Sequence, residues 1–208
     1  FTKMDNGYNF GPCIIMDDYG DGYPPSVYNW IHHNVLHDSG YVSYTTVSSP
    51  EEKNCNDEGN LLDVGVGGHG TTPDNSSYNL IEDNLFYHGA HDLVIISSPK
   101  NTIRNNIFHS EGWINNSVYS SGGCQDSDGN PNSFNNPMKF GSRNLLFENS
   151  KNFGGNNLVE GNRMGFAGTP PDDDGSNGIE NPSDGNIIRY NDLFKNGGTG
   201  MYFKAQPG

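Results

Sequence analysis

One eight-residue pattern recurs five times along this 208-residue chain, and it limits the possible folds more than any other feature. Asn79–Phe86 reads N-L-I-E-D-N-L-F, and Asn101–Phe108 reads N-T-I-R-N-N-I-F, starting 22 residues later (101 − 79). Asn29–Leu36 reads N-W-I-H-H-N-V-L, Asn157–Met164 reads N-L-V-E-G-N-R-M, and Asn186–Leu193 reads N-I-I-R-Y-N-D-L. Each copy is Asn-x-[Ile/Val]-x-x-Asn-x-apolar. Self-similarity at a period of roughly 20 to 50 residues marks a solenoid, because no single unit can bury its own apolar face.

Within a copy, the apolar residues at the third and eighth positions are separated by an Asn at the sixth. Two short strands on either side of a tight turn, each aiming one residue inward, satisfy that spacing. The reading assigns the corner to the sixth-position Asn, whose short amide tolerates the left-handed region and bonds to nearby backbone. Stacked turns would then superimpose Asn34, Asn84, Asn106, Asn162 and Asn191, so that their amides bond in a ladder. Ile31, Ile81, Ile103, Val159 and Ile188 would form one inward column, and Leu36, Phe86, Phe108, Met164 and Leu193 another. Short, Asn-rich segments with a β-branched core position disfavour helix.

This pattern resembles the repeat of right-handed parallel β-helix proteins, the pectin-lyase-like superfamily, with its internal asparagine ladder. The resemblance covers about Asn29 to Phe203. It implies an all-β solenoid of about seven rungs, a single domain over residues 1–208 with three long insertions. A near-match at Asn144–Asn149 starts only 13 residues before Asn157, too few for a full turn. Leu145–Phe147 is therefore expected to form another side of the same rung.

The first insertion runs from about Ser48 to Ser77. Leu61–Val66 alternates within it like a strand, which predicts two rungs between Asn29 and Asn79. Leu93–Ile96 is expected as the strand between the two closely spaced copies. Ser117–Pro137 forms the second insertion, Met138–Phe140 resumes the coil, and Gly168–Gly185 forms the third. Neither end shows a capping helix. The chain is thus expected to be a segment of a longer β-helix or to associate end to end with neighbouring chains.

Composition fits thin apolar columns better than a compact globule, at 32% hydrophobic residues with 28 Gly for the turns. The formal net charge of −14 repels nucleic acid and anionic membranes, so neither is an expected partner. No apolar stretch approaches the length of a membrane span. Of the three cysteines, Cys55 and Cys124 lie in the polar insertions and can pair with each other, with Cys13 outside that pair. Sequons stand at Asn75-Ser76-Ser77 and Asn115-Asn116-Ser117. The family resemblance implies secretion, with an extracellular or cell-surface location and a polysaccharide partner.

Three groups of side chains offer chemistry. Asp126, Asp128 and Asn130 alternate as in a calcium loop, and Asp172, Asp173 and Asp174 form a dense acidic run, with Asp17, Asp18 and Asp21 a third. Each is either a Ca2+ site built from oxygen ligands or a solvated acidic turn. His32, Glu82, Arg104, Glu160 and Arg189 occupy one outward column, which reads as a ladder of ion pairs, and Arg104 is its candidate substrate contact. A second outward column holds His37, Tyr87 and His109, with His88 and His91 nearby. Rings on one face suit stacking on sugars, and His109 has the chemistry of a base near pH 7. Lys139 and Arg143 follow the acidic insertion directly. By resemblance to polysaccharide lyases, a Lys or Arg would take the C5 proton of a uronate whose carboxylate a cation neutralises. The expected activity is therefore calcium-assisted β-elimination with Lys139, Arg143 and His109 as catalytic residues. The alternative is a non-catalytic glycan-binding or structural unit of an extracellular fibre, spike or surface layer. Gly68-His69-Gly70 and Asp17-Asp18 echo a hydrolase pattern, but the companion motifs are missing and that reading is set aside.

Overall fold

The computed structural model describes residues 2–5, 13–16, 24–37, 60–65, 75–87, 92–109, 143–147, 155–167, 177–181 and 183–203. Every regular element among them is a short β-strand, and all the pairings are parallel. Sheet one consists of β1 (Thr2–Asp5), β4 (Asn34–His37), β7 (Leu85–Tyr87), β10 (Ile107–His109), β13 (Arg163–Gly165) and β16 (Asp192–Phe194), paired in that order. Sheet two stacks β2 (Ile14–Met16), β5 (Leu62–Val64), β8 (Asp92–Ile96), β11 (Arg143–Phe147), β14 (Asn177–Asn181) and β17 (Met201–Phe203). Sheet three stacks β3 (Trp30–His32), β6 (Leu80–Glu82), β9 (Thr102–Arg104), β12 (Leu158–Glu160) and β15 (Ile187–Arg189). The chain visits the sheets in strict rotation and each strand pairs with the one three elements away. That is a parallel β-helix.

Both inward columns align as the repeat requires. On sheet three Ile31 lies opposite Ile81, Ile81 opposite Ile103, Ile103 opposite Val159, and Val159 opposite Ile188. On sheet one Leu36, Phe86, Phe108, Met164 and Leu193 follow in register, and the Phe86 and Phe108 rings stack at 5.0 Å. Sheet two supplies the third wall with Leu62, Val94, Leu145 and Ile179. Strands of three residues have no independent stability. Each rung persists because its inward residues, worth roughly 1.5–3 kcal/mol apiece when fully buried, lie between two others.

The ladder bonds run as expected. Asn34 Nδ2 donates to Asn84 Oδ1 at 3.1 Å, Asn84 to Asn106 at 3.1 Å, Asn106 to Asn162 at 3.1 Å and Asn162 to Asn191 at 2.9 Å. Each backbone N–H along the column donates to the same acceptor oxygen. The first-position Asn of the repeat forms a second ladder that its sequence role had not suggested. Asn29 Nδ2 donates to Asn79 Oδ1 and Asn79 Nδ2 to Asn101 Oδ1, both at 3.0 Å, and the backbone N–H groups of Asn101 and Asn157 carry it on to Asn157 and Asn186.

Three expectations are corrected. The left-handed residue at each corner is not the Asn but the one before it: His33, Asp83, Asn105, Gly161 and Tyr190 at one corner, Tyr28, Tyr78, Lys100, Asn156 and Gly185 at the other. The Asn is needed with its amide turned into the coil, so its neighbour takes the strained conformation. The interval from Asn29 to Asn79 is one turn, not two, because β3 pairs directly with β6 and Asn29 N–H reaches Asn79 Oδ1 at 2.9 Å. Leu62–Val64 is the sheet-two side of that turn and not a rung of its own. Leu145–Phe147 forms another side of the rung, as expected, on sheet two ahead of the Asn157 copy. The third insertion is also shorter than expected, since Asn177–Asn181 is strand β14 and Ile179 is fully buried. Its Asn- and Gly-rich sequence concealed the strand, because Ile179 is its one large apolar residue.

Candidate functional site

The repeat places its non-core side chains in vertical columns on the outer faces, so residues far apart in sequence meet across adjacent rungs about 4.8 Å apart. On sheet one, His37, Tyr87 and His109 follow the inward Leu36, Phe86 and Phe108 by one position and so face outward. The structure brings these three together as a continuous ring stack. His37 and Tyr87 lie 4.9 Å apart with planes 4° from parallel, and Tyr87 and His109 lie 5.6 Å apart at 14°. The stack closes the ring faces on one another, and His37 is only 2% exposed. The next position is Gly165, and the Phe194 ring lies over it: a Cβ there would stand 2.6 Å from ring carbons.

Sheet three carries the charged column. Arg104 Nε meets Glu82 Oε2 at 2.6 Å, and Arg189 meets Glu160 at 2.8 Å. Glu82 is also fixed from the neighbouring rung, where Trp30 Nε1 donates to its Oε1 at 2.7 Å. The hydrogen bond from Arg104 holds the Glu82 carboxyl below the usual carboxylate range; burial opposes this and the Trp30 N–H adds to it. Arg104 is thereby engaged within the ladder of ion pairs.

Arg143 belongs to sheet two. Its guanidinium forks onto Asp92, Nε to Oδ1 at 2.6 Å and Nη2 to Oδ2 at 3.0 Å, and reaches Glu180 Oε2 at 3.3 Å with Nη1. Burial alone would lower the Arg143 pKa, but the charge of Asp92 and its hydrogen bond, together with Glu180, raise it. A guanidinium so held stays protonated, which suits a clamp across three rungs and not the removal of a proton. The candidate set is thus divided: His37, Tyr87 and His109 share sheet one, Arg143 is on sheet two and Arg104 on sheet three.

Lys139, His88, His91, Asp126, Asp128, Asn130, Asp172, Asp173 and Asp174 lie outside the described residues. So do Asp17, Asp18, Asp21, Cys55, Cys124 and the Gly68–Gly70 tripeptide. Among the described residues no group of three or more His, Cys, Asp or Glu side chains is placed to hold a metal ion.

Sequence reasoning overlooked an exposed aromatic strip. Tyr28, Trp30 and Tyr78 are 74%, 59% and 50% exposed at the corner leading into sheet three. Tyr28 and Tyr78 stack at 5.3 Å and 10°, Lys100 Nζ stands 5.5 Å over the Tyr78 ring, and Trp30 stacks on His32 at 4.0 Å. The signal was present in the residue preceding each first-position Asn, which is Tyr in two successive turns. No protein-family profile, no curated protein and no solved structure matches this chain.

Proposed function

We propose that this chain is a secreted, carbohydrate-active β-helix of the right-handed pectin-lyase-like type, and that it holds polysaccharide against the corner formed by Tyr28, Trp30 and Tyr78. The observation that carries this reading is the exposure of three large rings in one strip, with Tyr28 and Tyr78 stacked on each other, on a coil whose inward rings Phe86, Phe108 and Phe147 are fully buried. Exposed apolar patches of this kind mark interaction sites, and rings with one free side offer flat surfaces to the axial C–H faces of sugars. The rung spacing repeats the platform along the coil axis, which suits a linear polymer.

The net charge of −14 favours a neutral glycan, or a uronate bridged by Ca2+ held on the acidic loops around Asp126, Asp128 and Asn130 and around Asp172–Asp174. Catalysis in that case would be β-elimination, with Lys139 or His109 as base and the cation neutralising the carboxylate. Two measurements test the proposal. Isothermal titration with neutral and uronate oligosaccharides should give binding that Trp30→Ala and Tyr78→Ala weaken by tenfold or more. Absorbance at 235 nm, recorded with Ca2+ and with chelator, reads elimination directly. Unchanged affinity in both variants would refute the aromatic platform, and a flat trace over the uronate panel would refute the lyase.

A second reading has one observation in its favour. The last described rung leaves Tyr202 and Phe203 45% and 64% exposed, although Phe203 occupies the register of the buried Asn181. A structural unit joined end to end through that rung would cover them. Sedimentation at rising concentration would reveal such association, and Phe203→Glu would abolish it.

A further inference from the structure

We propose that His32 and His33 form a bidentate site for a divalent transition-metal ion of the Cu2+ class. Consecutive residues of a strand point to opposite faces, so two neighbouring histidines do not ordinarily converge. Here the chain turns at His33, which has φ = 55°, and the turn swings both imidazoles to the outside of the coil. Their Nδ1 atoms come to 2.9 Å with the rings perpendicular. Two nitrogens each about 2.0 Å from one ion are roughly 2.8 Å apart at a right angle and roughly 3.3 Å apart at a tetrahedral angle. The observed 2.9 Å is an ordinary hydrogen-bond length between the two rings, and it lies nearer the right-angle spacing of a tetragonal ion, the geometry preferred by Cu2+ and Ni2+, than the tetrahedral spacing of Zn2+.

The pair is held in place by a chain of contacts from the next two rungs. The His32 ring lies under Trp30 at 4.0 Å, the Trp30 indole N–H is fixed on Glu82 at 2.7 Å, and Glu82 is fixed by Arg104. Such supporting shells orient imidazole ligands and raise metal affinity. Asp83 occupies the left-handed corner equivalent to His33 one rung along, is exposed, and adds negative potential. Without metal, one Nδ1 donates its proton to the other. On binding, that proton passes to Nε2 of its own ring, both Nδ1 lone pairs face the ion, and water fills the remaining positions. The proposal is independent of the glycan reading.

Trp30 provides the readout, since a paramagnetic Cu2+ ion beside His32 quenches an indole stacked on that ring. The chain has two tryptophans, so Trp113→Phe isolates the Trp30 signal. Titration of that variant with Cu2+ should quench its emission saturably at one equivalent, with Cu2+ stronger than Ni2+ and Ni2+ stronger than Zn2+ in competition. His32→Gln and His33→Asn, the latter chosen because Asn accepts the left-handed region, should each weaken quenching at least tenfold. The electron paramagnetic resonance spectrum of the unaltered protein with one equivalent of Cu2+ should show hyperfine coupling to two imidazole nitrogens, reduced in either variant. Quenching within twofold of the parent after both substitutions, or a spectrum with oxygen ligands alone, would overturn the assignment and place the ion on the acidic loops.

Discussion

Replacing Asn106 with Ala tests whether the amide ladder is a structural necessity or a decoration of the coil. Asn106 is 1% exposed, and its Oδ1 accepts from both the backbone N–H and the side chain of Asn84, at 2.9 and 3.1 Å. Its Nδ2 serves Ile81 O, Arg104 O and Asn162 Oδ1. Removing the side chain leaves the buried Asn84 backbone N–H without its acceptor, at about 1–3 kcal/mol, and forfeits further bonds of about 1 kcal/mol each, for a total of roughly 3–5 kcal/mol. Asn34 provides the control. Among the described residues its side chain only donates, to an Asn84 oxygen that keeps the Asn34 backbone N–H, so Asn34→Ala should cost no more than about 1 kcal/mol. Urea unfolding followed by circular dichroism separates the two. With a slope of about 1–3 kcal/mol/M, Asn106→Ala should move the midpoint by roughly 1–2 M more than Asn34→Ala. Midpoints within about 0.3 M of each other would refute the argument that acceptor loss dominates.

Other consequences are open to similar tests. Glu82 has its pKa lowered below 4.5 in the folded state, so its stabilising contribution is complete above that value and is lost as pH falls through the depressed one; Glu82→Gln should flatten the acid limb of a stability–pH profile. Arg143→Met leaves Asp92, with a side chain 0% exposed, as a buried uncompensated carboxylate and should cost about 3–5 kcal/mol, whereas Arg143→Met with Asp92→Leu should recover most of it in thermal melts. Gly161 has φ = +68° and a Cβ there would stand 2.6 Å from Asn105 Oδ1, so Gly161→Val should lower stability by about 1–2 kcal/mol in the same melts, and Gly161→Asn by distinctly less.

The coil was legible in the sequence because its inward columns need one residue type at one spacing, and Ile31, Ile81 and Ile103 state that spacing without interference. The sixth-position ladder was legible for the same reason. The rung count across Asn29–Asn79 was not, because Leu62–Val64 carries the alternation of any half-buried strand and nothing in it says which wall it builds. The strained position also went to the wrong residue. Asn is the usual occupant of left-handed corners, yet here Tyr28, Tyr78, Lys100 and His33 take that conformation. Tertiary stacking decides this, since an amide turned inward satisfies two rungs while a Tyr turned outward loses little. Arg143 stood out as a rare cation beside an acidic insertion, and its partners Asp92 and Glu180 lie 51 and 37 residues away along the chain, on neighbouring rungs.

The side-chain ladders also have a direction. Between Asn34 and Asn191, the amides of Asn84, Asn106 and Asn162 each give an N–H to the next rung and receive at the oxygen from the previous one. Every rung therefore offers the same two connectors, an acceptor below and a donor above, whatever its other residues are. A turn can be duplicated, deleted or exchanged, and the connectors on either side will still match, provided it is inserted in the same orientation. Length is consequently a quantity that this architecture leaves free to vary in whole turns. The corners are free in a different sense: they lie beyond the connectors, so loops of any size can be added there without disturbing the order of the stack.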